Sequence, residues 1–367
     1  MPYNWKIYKL GKVATLQRGF DLPTRKRIQG NYKVIAASGF TDWHNEYKVK
    51  GPGVTTGRSG TLGQVFYEED DFWPLNTSLW VKDFHGNHPR FIYYFLKELN
   101  LGAFNSGTSV PTLNRNDVHS LEVKIPPLPE QKAIANILSA IDAKIESNLA
   151  INKTLEEMAM ALFKEWFVDF GPFQDGKFVE SELGMIPEGW EVKRLDEVLE
   201  IKYGKDHKKL EDGDIPVYGS GGIMRYVNKS LYDQDSILIP RKGTLSNLFF
   251  VTDPFWSVDT MFYSKIRHKE MGQYLFHFIK CLDLAGMDVG SAVPSLTTAL
   301  LKSLNVLIPS SEIILKFDKV ASHYFKTRNQ NIEQNQSLTK LRDTLLPKLI
   351  SGEVRLKEFD LEEVLEE

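Results

Sequence analysis

Two short runs carry the densest donor chemistry in the chain, Arg58-Ser59-Gly60-Thr61 and Arg241-Lys242-Gly243-Thr244. Each joins a guanidinium to hydroxyl groups and to the backbone N–H groups of a flexible glycine turn. That set suits the oxygens of a phosphate, and an arginine can alternatively address a guanine edge with two hydrogen bonds. A tight hairpin with exposed charge would be written the same way. Other basic runs lie nearby: Arg25-Lys26-Arg27 in the first half, and Lys205 with Lys208-Lys209 in the second. Each of these, taken singly, reads as a solvated loop, but their recurrence in both halves favours a shared anionic partner.

The elements that must position these groups are written twice. Trp5-Lys6-Ile7-Tyr8-Lys9-Leu10, ending at Gly19, returns as Trp190-Glu191-Val192-Lys193-Arg194-Leu195, ending at Gly204, an offset of 190 − 5 = 185. The two arginine runs, Phe72-Trp73 with Phe255-Trp256, and Val110-Pro111 with Val293-Pro294 are offset by 183. Two long copies are not a solenoid, which stacks three or more short units. They imply a pseudo-two-fold protein whose partner offers the same surface twice.

Each copy opens with short strands and turns, plus one helix near Arg90 to Leu99 or Gln273 to Leu282. The texture changes at Pro126-Pro127-Leu128-Pro129-Glu130-Gln131, where proline and an acid suit a helix start. From there to Phe167 the chain has no glycine and no further proline. Ile134, Leu138, Ile141, Ile145, Asn148, Asn152, Leu155, Leu162 and Trp166 follow alternating steps of four and three, a coiled-coil seam in a helix about 57 Å long. The second copy spans Glu312 to Ile350, with Pro347 interrupting it near its end. Its seam is Phe317, Ala321, Tyr324, Asn331, Asn335, Leu338, Leu345 and Leu349, marred by Arg328 and Arg342. Antiparallel pairing of the two helices would place Asn148 and Asn152 against Asn331 and Asn335, fixing register; the alternative is four solvated asparagines on a helix flank.

Composition bounds the function. Hydrophobic residues make up 42% of 367, ordinary for globular domains. Cys281 is the only cysteine, which excludes an intrachain disulfide and a Cys-rich zinc site and makes a reduced, cytoplasmic home the default. No apolar run is long enough to span a bilayer, so no membrane role is expected. The net charge of −3 argues against a chain that wraps nucleic acid along its whole length. Much of the acid is in the tail, from Glu358 to Glu367, leaving basic patches elsewhere.

Pro127-Leu128-Pro129-Glu130-Gln131 before a long helix, Ile186-Pro187-Glu188-Gly189-Trp190-Glu191 opening the second globule, and Leu345-Leu346-Pro347-Lys348-Leu349-Ile350-Ser351-Gly352-Glu353 closing the second helix together resemble a type I restriction–modification specificity subunit. The resemblance covers essentially the whole chain. It implies an α+β fold with two mixed α/β target recognition domains, related by a pseudo-two-fold axis and separated by a long antiparallel two-helix coiled coil. The expected boundaries are 1–128 for the first recognition domain and 129–170 for the central spacer helix. A linker and the second recognition domain take 171–311, the distal helix 312–352 and an acidic tail 353–367. The implied partners are double-stranded DNA, two methyltransferase subunits and, in some systems, restriction subunits. S-adenosylmethionine and ATP with Mg belong on those partners, for adenine-N6 methylation and cleavage, and this chain carries no cofactor of its own. The alternatives are a structural adaptor, a degenerate or decoy specificity subunit, or the specificity protein of a modification-only system.

No catalytic residue is expected. The chain lacks the Asn/Asp-Pro-Pro-Tyr/Phe tetrapeptide of amino-methyltransferases and the Gly-x-x-x-x-Gly-Lys-Ser/Thr phosphate loop. Gly219-Ser220-Gly221-Gly222 reads as a turn, and the scattered histidines predict no metal site.

If two similar domains read different half-sites, shared residues should be scaffold or phosphate contacts and divergent loop residues the base readers. Phosphate anchoring then falls to the shared loops, Arg58, Ser59 and Thr61 with Arg241, Lys242 and Thr244, while Arg25, Lys26, Arg27, Lys205, Lys208 and Lys209 are further expected DNA contacts. Thr41-Asp42-Trp43-His44-Asn45-Glu46-Tyr47 shows no likeness to Ser220-Gly221-Gly222-Ile223-Met224-Arg225-Tyr226, so Trp43, Asn45, Ser220, Arg225 and Tyr226 are the expected base-proximal residues. Ser106, Thr108 and Ser291 are further candidates near the loop before Val-Pro. The change of offset places the two-residue shortening of the second copy inside this reading region.

Overall fold

The computed structural model of the chain describes residues 5–106, 109–287 and 295–356. Thr108, Ser291, Val293-Pro294 and residues 357–367 of the tail lie outside the described residues. The chain divides into two compact units, Met1–Asn148 with Glu333–Glu367, and Leu149–Ile332.

The first unit holds three sheets. Lys6–Lys9 pairs antiparallel with Glu122–Ile125. A four-stranded antiparallel sheet runs in the order Thr15–Arg18, Ser78–Asp83, Gly53–Gly57, Val65–Glu68. A three-stranded sheet runs Gly39–His44, Tyr32–Ala36, Phe72–Pro74, the last pair being parallel. The second unit repeats all three: Glu191–Arg194 with Asn305–Ile308; then Leu199–Tyr203, Met261–Ile266, Ser236–Pro240, Phe249–Val251; then Gly222–Val227, Ile215–Gly219, Trp256–Ser257. Every residue of Gly53–Gly57 and Ser236–Pro240 is buried, so these strands lack the alternation of a half-exposed strand. Two of their three hydroxyls are paired: Thr56 donates to the Gln64 carbonyl at 2.8 Å and Ser236 to the Ser264 carbonyl at 2.7 Å, while the buried Thr55 hydroxyl has no partner among the described residues. The helices expected near Arg90 and Gln273 run Pro89–Glu98 and Gly272–Cys281, each one residue earlier than expected.

The second unit also carries a hairpin, Phe178–Ser181 with Gly184–Pro187, just before Trp190. Phe170 and Phe173 pack edge-on against that tryptophan.

Both long helices are continuous, Leu128–Phe167 and Ser311–Ser351. Pro347 does not interrupt the second. It deprives the Asp343 carbonyl of its helical donor, yet Leu346, Leu349 and Ile350 are buried in the first unit's core beside Leu10, Phe91 and Ile134, and that packing holds the final turns. At the opposite end, Phe163 and Phe167 join Phe317, Ala321 and Tyr274 in the second unit's core.

Within each unit the helix segments pair antiparallel. In the first, Asp142 meets Arg342 at 2.9 Å, and Asn148 Nδ2 donates to Gln334 Oε1 at 2.7 Å and Asn335 Oδ1 at 2.9 Å. In the second, Asn331 Nδ2 donates to Asn152 Oδ1 at 2.9 Å, and Arg328 pairs with Glu156. The 183-residue offset converts the Asn148–Asn335 contact into the Asn152–Asn331 contact. Arg328 and Arg342, blemishes in a seam read from one sequence, thus have carboxylate partners on the facing helix.

The buried stripe of the first helix departs from the expected seam. Beyond Asn152 it passes through Ala159, Phe163 and Phe167, while Leu155, Leu162 and Trp166 are half-buried. A strict heptad drifts about 20° per repeat against a straight α-helix, which over nearly five heptads amounts to about one residue.

Candidate nucleic-acid interface

The three-stranded sheets carry the divergent segments, and their geometry aligns those segments where side chains do not. In the first unit, Tyr32–Ala36 pairs with Gly39–His44, and the register shifts between Val34 and Ile35. In the second, Ile215–Gly219 pairs with Gly222–Val227, with the shift between Val217 and Tyr218, 183 residues on in each case. The two hairpins are one structure. Their outer strands even share an exposure pattern, with Phe40, Thr41 and Trp43 exposed in one and Ile223, Met224 and Tyr226 in the other.

This corrects the expected correspondence. Thr41-Asp42-Trp43 is matched by Met224-Arg225-Tyr226, not by the residues from Ser220 onward. Trp43 and Tyr226, picked from the two halves separately, hold one position. Ser220 lies in the hairpin turn, where its carbonyl accepts from Asn247 Nδ2 at 2.8 Å. Asn45 is exposed just past the first outer strand.

The two-residue shortening is also relocated. A side chain at Gly19 would strike the Leu75 carbonyl, and one at Gly204 the Val258 carbonyl, so these glycines correspond at an offset of 185. A side chain at Gly30 would strike Asn45 and the His44 carbonyl, and one at Gly213 Asn228 and the Val227 carbonyl, an offset of 183. The length difference therefore falls in the loop before the hairpin, not in the hairpin. Counted back from Gly30 and Gly213, Arg25 matches Lys208 and Lys26 matches Lys209, and all four are exposed. Lys205 is exposed at the start of the second loop. Arg27 differs: it is half-buried and turned onto Asp42.

The arginine runs are loops stitched to the scaffold rather than tight hairpins. Arg58 and Ser59 donate their backbone N–H groups to the Thr77 carbonyl, and Arg241 and Lys242 theirs to Thr260. Gly60 and Gly243 sit at φ of 91° and 88°, where a side chain would be strained. Arg58 Nε donates to the Asn76 carbonyl at 2.7 Å, and Arg241 Nη1 to the matching Asp259 carbonyl at 3.3 Å. Burial, with the Arg18 charge nearby, lowers the Arg58 pKa, though not enough to discharge a guanidinium. In the second unit Tyr203 stands where Arg18 stands in the first, and the Arg241 guanidinium lies 5.3 Å from its ring centre. Ser59 is half-buried; Thr61, Lys242 and Thr244 are exposed. Ser106 is exposed, but its hydroxyl is held by the Thr112 carbonyl at 3.0 Å.

Arg225 is already engaged, by Asp212 at 2.7 Å and the Leu210 carbonyl at 3.1 Å. The Trp43 N–H and then Arg27 hold the Asp42 carboxyl below the usual carboxylate range. Phe40, Ile223 and Met224 are exposed on the same outer strands, and no residue type marks them in the sequence. Among the described residues no cluster of three or more His, Cys, Asp or Glu could hold a metal ion, and no helix is long and apolar enough to cross a membrane.

The pattern of the type I restriction modification DNA specificity domain matches residues 2–157 and again 187–341, once per copy. The chain belongs to the type I DNA specificity family. Specificity subunits of this family are non-catalytic. The chain is similar to the specificity subunit of the type I restriction enzyme MjaIX from Methanocaldococcus jannaschii, at 28% identity over 73% of this chain and 70% of that one. It is also similar to the HindI specificity subunit from Haemophilus influenzae, at 24% identity over 96% and 100%. A type I restriction–modification S subunit from M. genitalium shares the fold, with a TM-score of 0.71 and 21% identity over 95% of this specificity subunit and 96% of the other chain.

Proposed function

We propose that this specificity subunit reads a bipartite DNA sequence, one half-site per recognition domain, and docks two methyltransferase subunits that methylate adenine at N6. S-adenosylmethionine would sit on those subunits. ATP and Mg would sit on a restriction subunit, in systems that have one. The observation that carries the reading is one hairpin built twice, presenting an exposed aromatic at one position (Trp43, Tyr226) and following a loop with an exposed basic dipeptide. Phosphates are met by charge that both halves share, and base edges by side chains that differ between them. The four paired asparagines serve this reading by fixing helix register. Adenine-methylation sequencing of the host with and without the gene tests it. Loss of one bipartite methylation motif is expected, and an unchanged methylome would leave the adaptor or decoy reading in its place.

A further inference from the structure

Arg27 and Leu210 lie three residues before Gly30 and Gly213, so they share one loop position, as Asp42 and Arg225 share one hairpin position. The loop–hairpin contact between these positions is made in both units, with donor and acceptor exchanged. Arg27 Nη1 donates from the loop to Asp42 Oδ2 at 3.1 Å. Arg225 Nη2 donates from the hairpin to the Leu210 carbonyl at 3.1 Å and to Asp212 Oδ1 at 2.7 Å. A second pin accompanies each contact. The Ile28 N–H meets His44 Nδ1 at 3.1 Å, and Asn228 binds the Glu211 carbonyl at 3.0 Å and its carboxylate at 3.1 Å.

We propose that position 42/225 is a latch: a positioning residue that seats the exposed dipeptide, Arg25-Lys26 or Lys208-Lys209, beside the exposed aromatic of its own hairpin. Loop and hairpin then meet DNA as one unit in each half. This rests on the DNA-reading function proposed above and moves Arg225 from base contact to loop support. The reversed polarity makes the latches non-interchangeable, since the first loop set on the second hairpin would put Arg27 against Arg225. Like charges there would drive loop and hairpin apart.

The two latches are unequal. Arg27 and Asp42 side chains are 15% and 37% exposed, whereas Asp212 is 96% exposed. A fully solvated carboxylate adds little, so Asp212→Ala should change methylation less than about twofold, while Arg225→Ala, which also frees the Leu210 carbonyl, should cost about tenfold.

The test uses the full chain assembled with its methyltransferase subunits. The substrate is the wild-type motif, and a panel carries one base change in either half-site. Asp42→Arg should lower methylation about tenfold or more and blur base preference in the first half-site only. Arg27→Asp combined with Asp42→Arg should return both to within about threefold of wild type, with thermal midpoints unchanged. If Asp42→Arg does not fold, Asp42→Asn, which keeps the acceptor for the Trp43 N–H, should show a several-fold loss confined to that half-site. A double swap as impaired as the single, or equal losses at both half-sites, would overturn the latch. A wild-type complex that methylates no bipartite motif would instead deny the reading on which it rests.

Discussion

Asp42 and Arg225 occupy the same position on two copies of one hairpin, opposite Val34 and Val217, and carry opposite charge. Each side chain turns back to the preceding loop, leaving the next residue, Trp43 or Tyr226, to face solvent at 38% and 46% exposure. The proposed reading surface is thereby divided between a residue that holds and a residue that presents.

Trp43→Ala and Tyr226→Ala should therefore each relax one half-site and leave the other intact. A lost base contact is worth about 1–3 kcal/mol of discrimination. Methylation of single-base variants of the target reads this directly, and equal relaxation of both half-sites by either variant would remove these residues from base reading.

Arg58→Ala and Arg241→Ala should weaken binding to all sequences alike. Each lost phosphate contact should lower the salt-dependence slope by about 0.9. Titrations of specific and scrambled duplexes across ionic strength check this. A change in sequence preference alone would make these arginines base readers. Because Arg58 bonds the Asn76 carbonyl at 2.7 Å while Arg241 reaches the Asp259 carbonyl only at 3.3 Å, the Arg58 variant should be the less stable of the two.

The asparagine pairs make a coupling prediction. Asn148 is fully buried, and its Oδ1 finds no partner among the described residues. Asn335→Leu alone removes an acceptor from Asn148 and should cost about 1–3 kcal/mol. Adding Asn148→Leu should recover most of that loss, a non-additivity measured by denaturant unfolding. With all four asparagines replaced by leucine, cysteine pairs displaced by one helical turn should cross-link, as they should not in the wild type. Higher stability without shifted cross-links would sever the asparagines from register.

His277 makes a pH prediction. Burial, which outweighs the bond from its ring to the Gln273 carbonyl, pushes its pKa down to about 4. The unfolded chain takes up this proton near pH 6.5, so stability is complete above that pH and declines as pH falls toward about 4. The loss is about 3 kcal/mol over that window. His277→Phe, set among Phe163, Phe276 and Phe317, should flatten this part of the pH dependence of unfolding. An unchanged slope would place the proton uptake elsewhere.

The long helices, the repeat and the asparagine positions were legible in the sequence because periodicity and duplication leave marks in residue type. The hairpin match was not. Its likeness resides in a shared bulge, turn and close-packed glycines, while Tyr-Lys-Val-Ile-Ala and Ile-Pro-Val-Tyr-Gly share only a central valine. Arg225 read as a base contact for a related reason: a free guanidinium and one bonded to a loop carbonyl are spelled alike. Arg328 and Arg342 looked like faults because their partners, Glu156 and Asp142, lie on the other long helix, 172 and 200 residues away in the chain.

The first unit's core is closed by Leu346, Leu349 and Ile350, whereas the second unit is one unbroken stretch, Leu149–Ile332. During synthesis the second globule has all its parts before the first does. The first globule must leave the ribosome with part of its apolar surface bare and wait for Leu346, Leu349 and Ile350 to cover it. A premature stop between 333 and 345 would thus spare the later-made domain and cripple the earlier one.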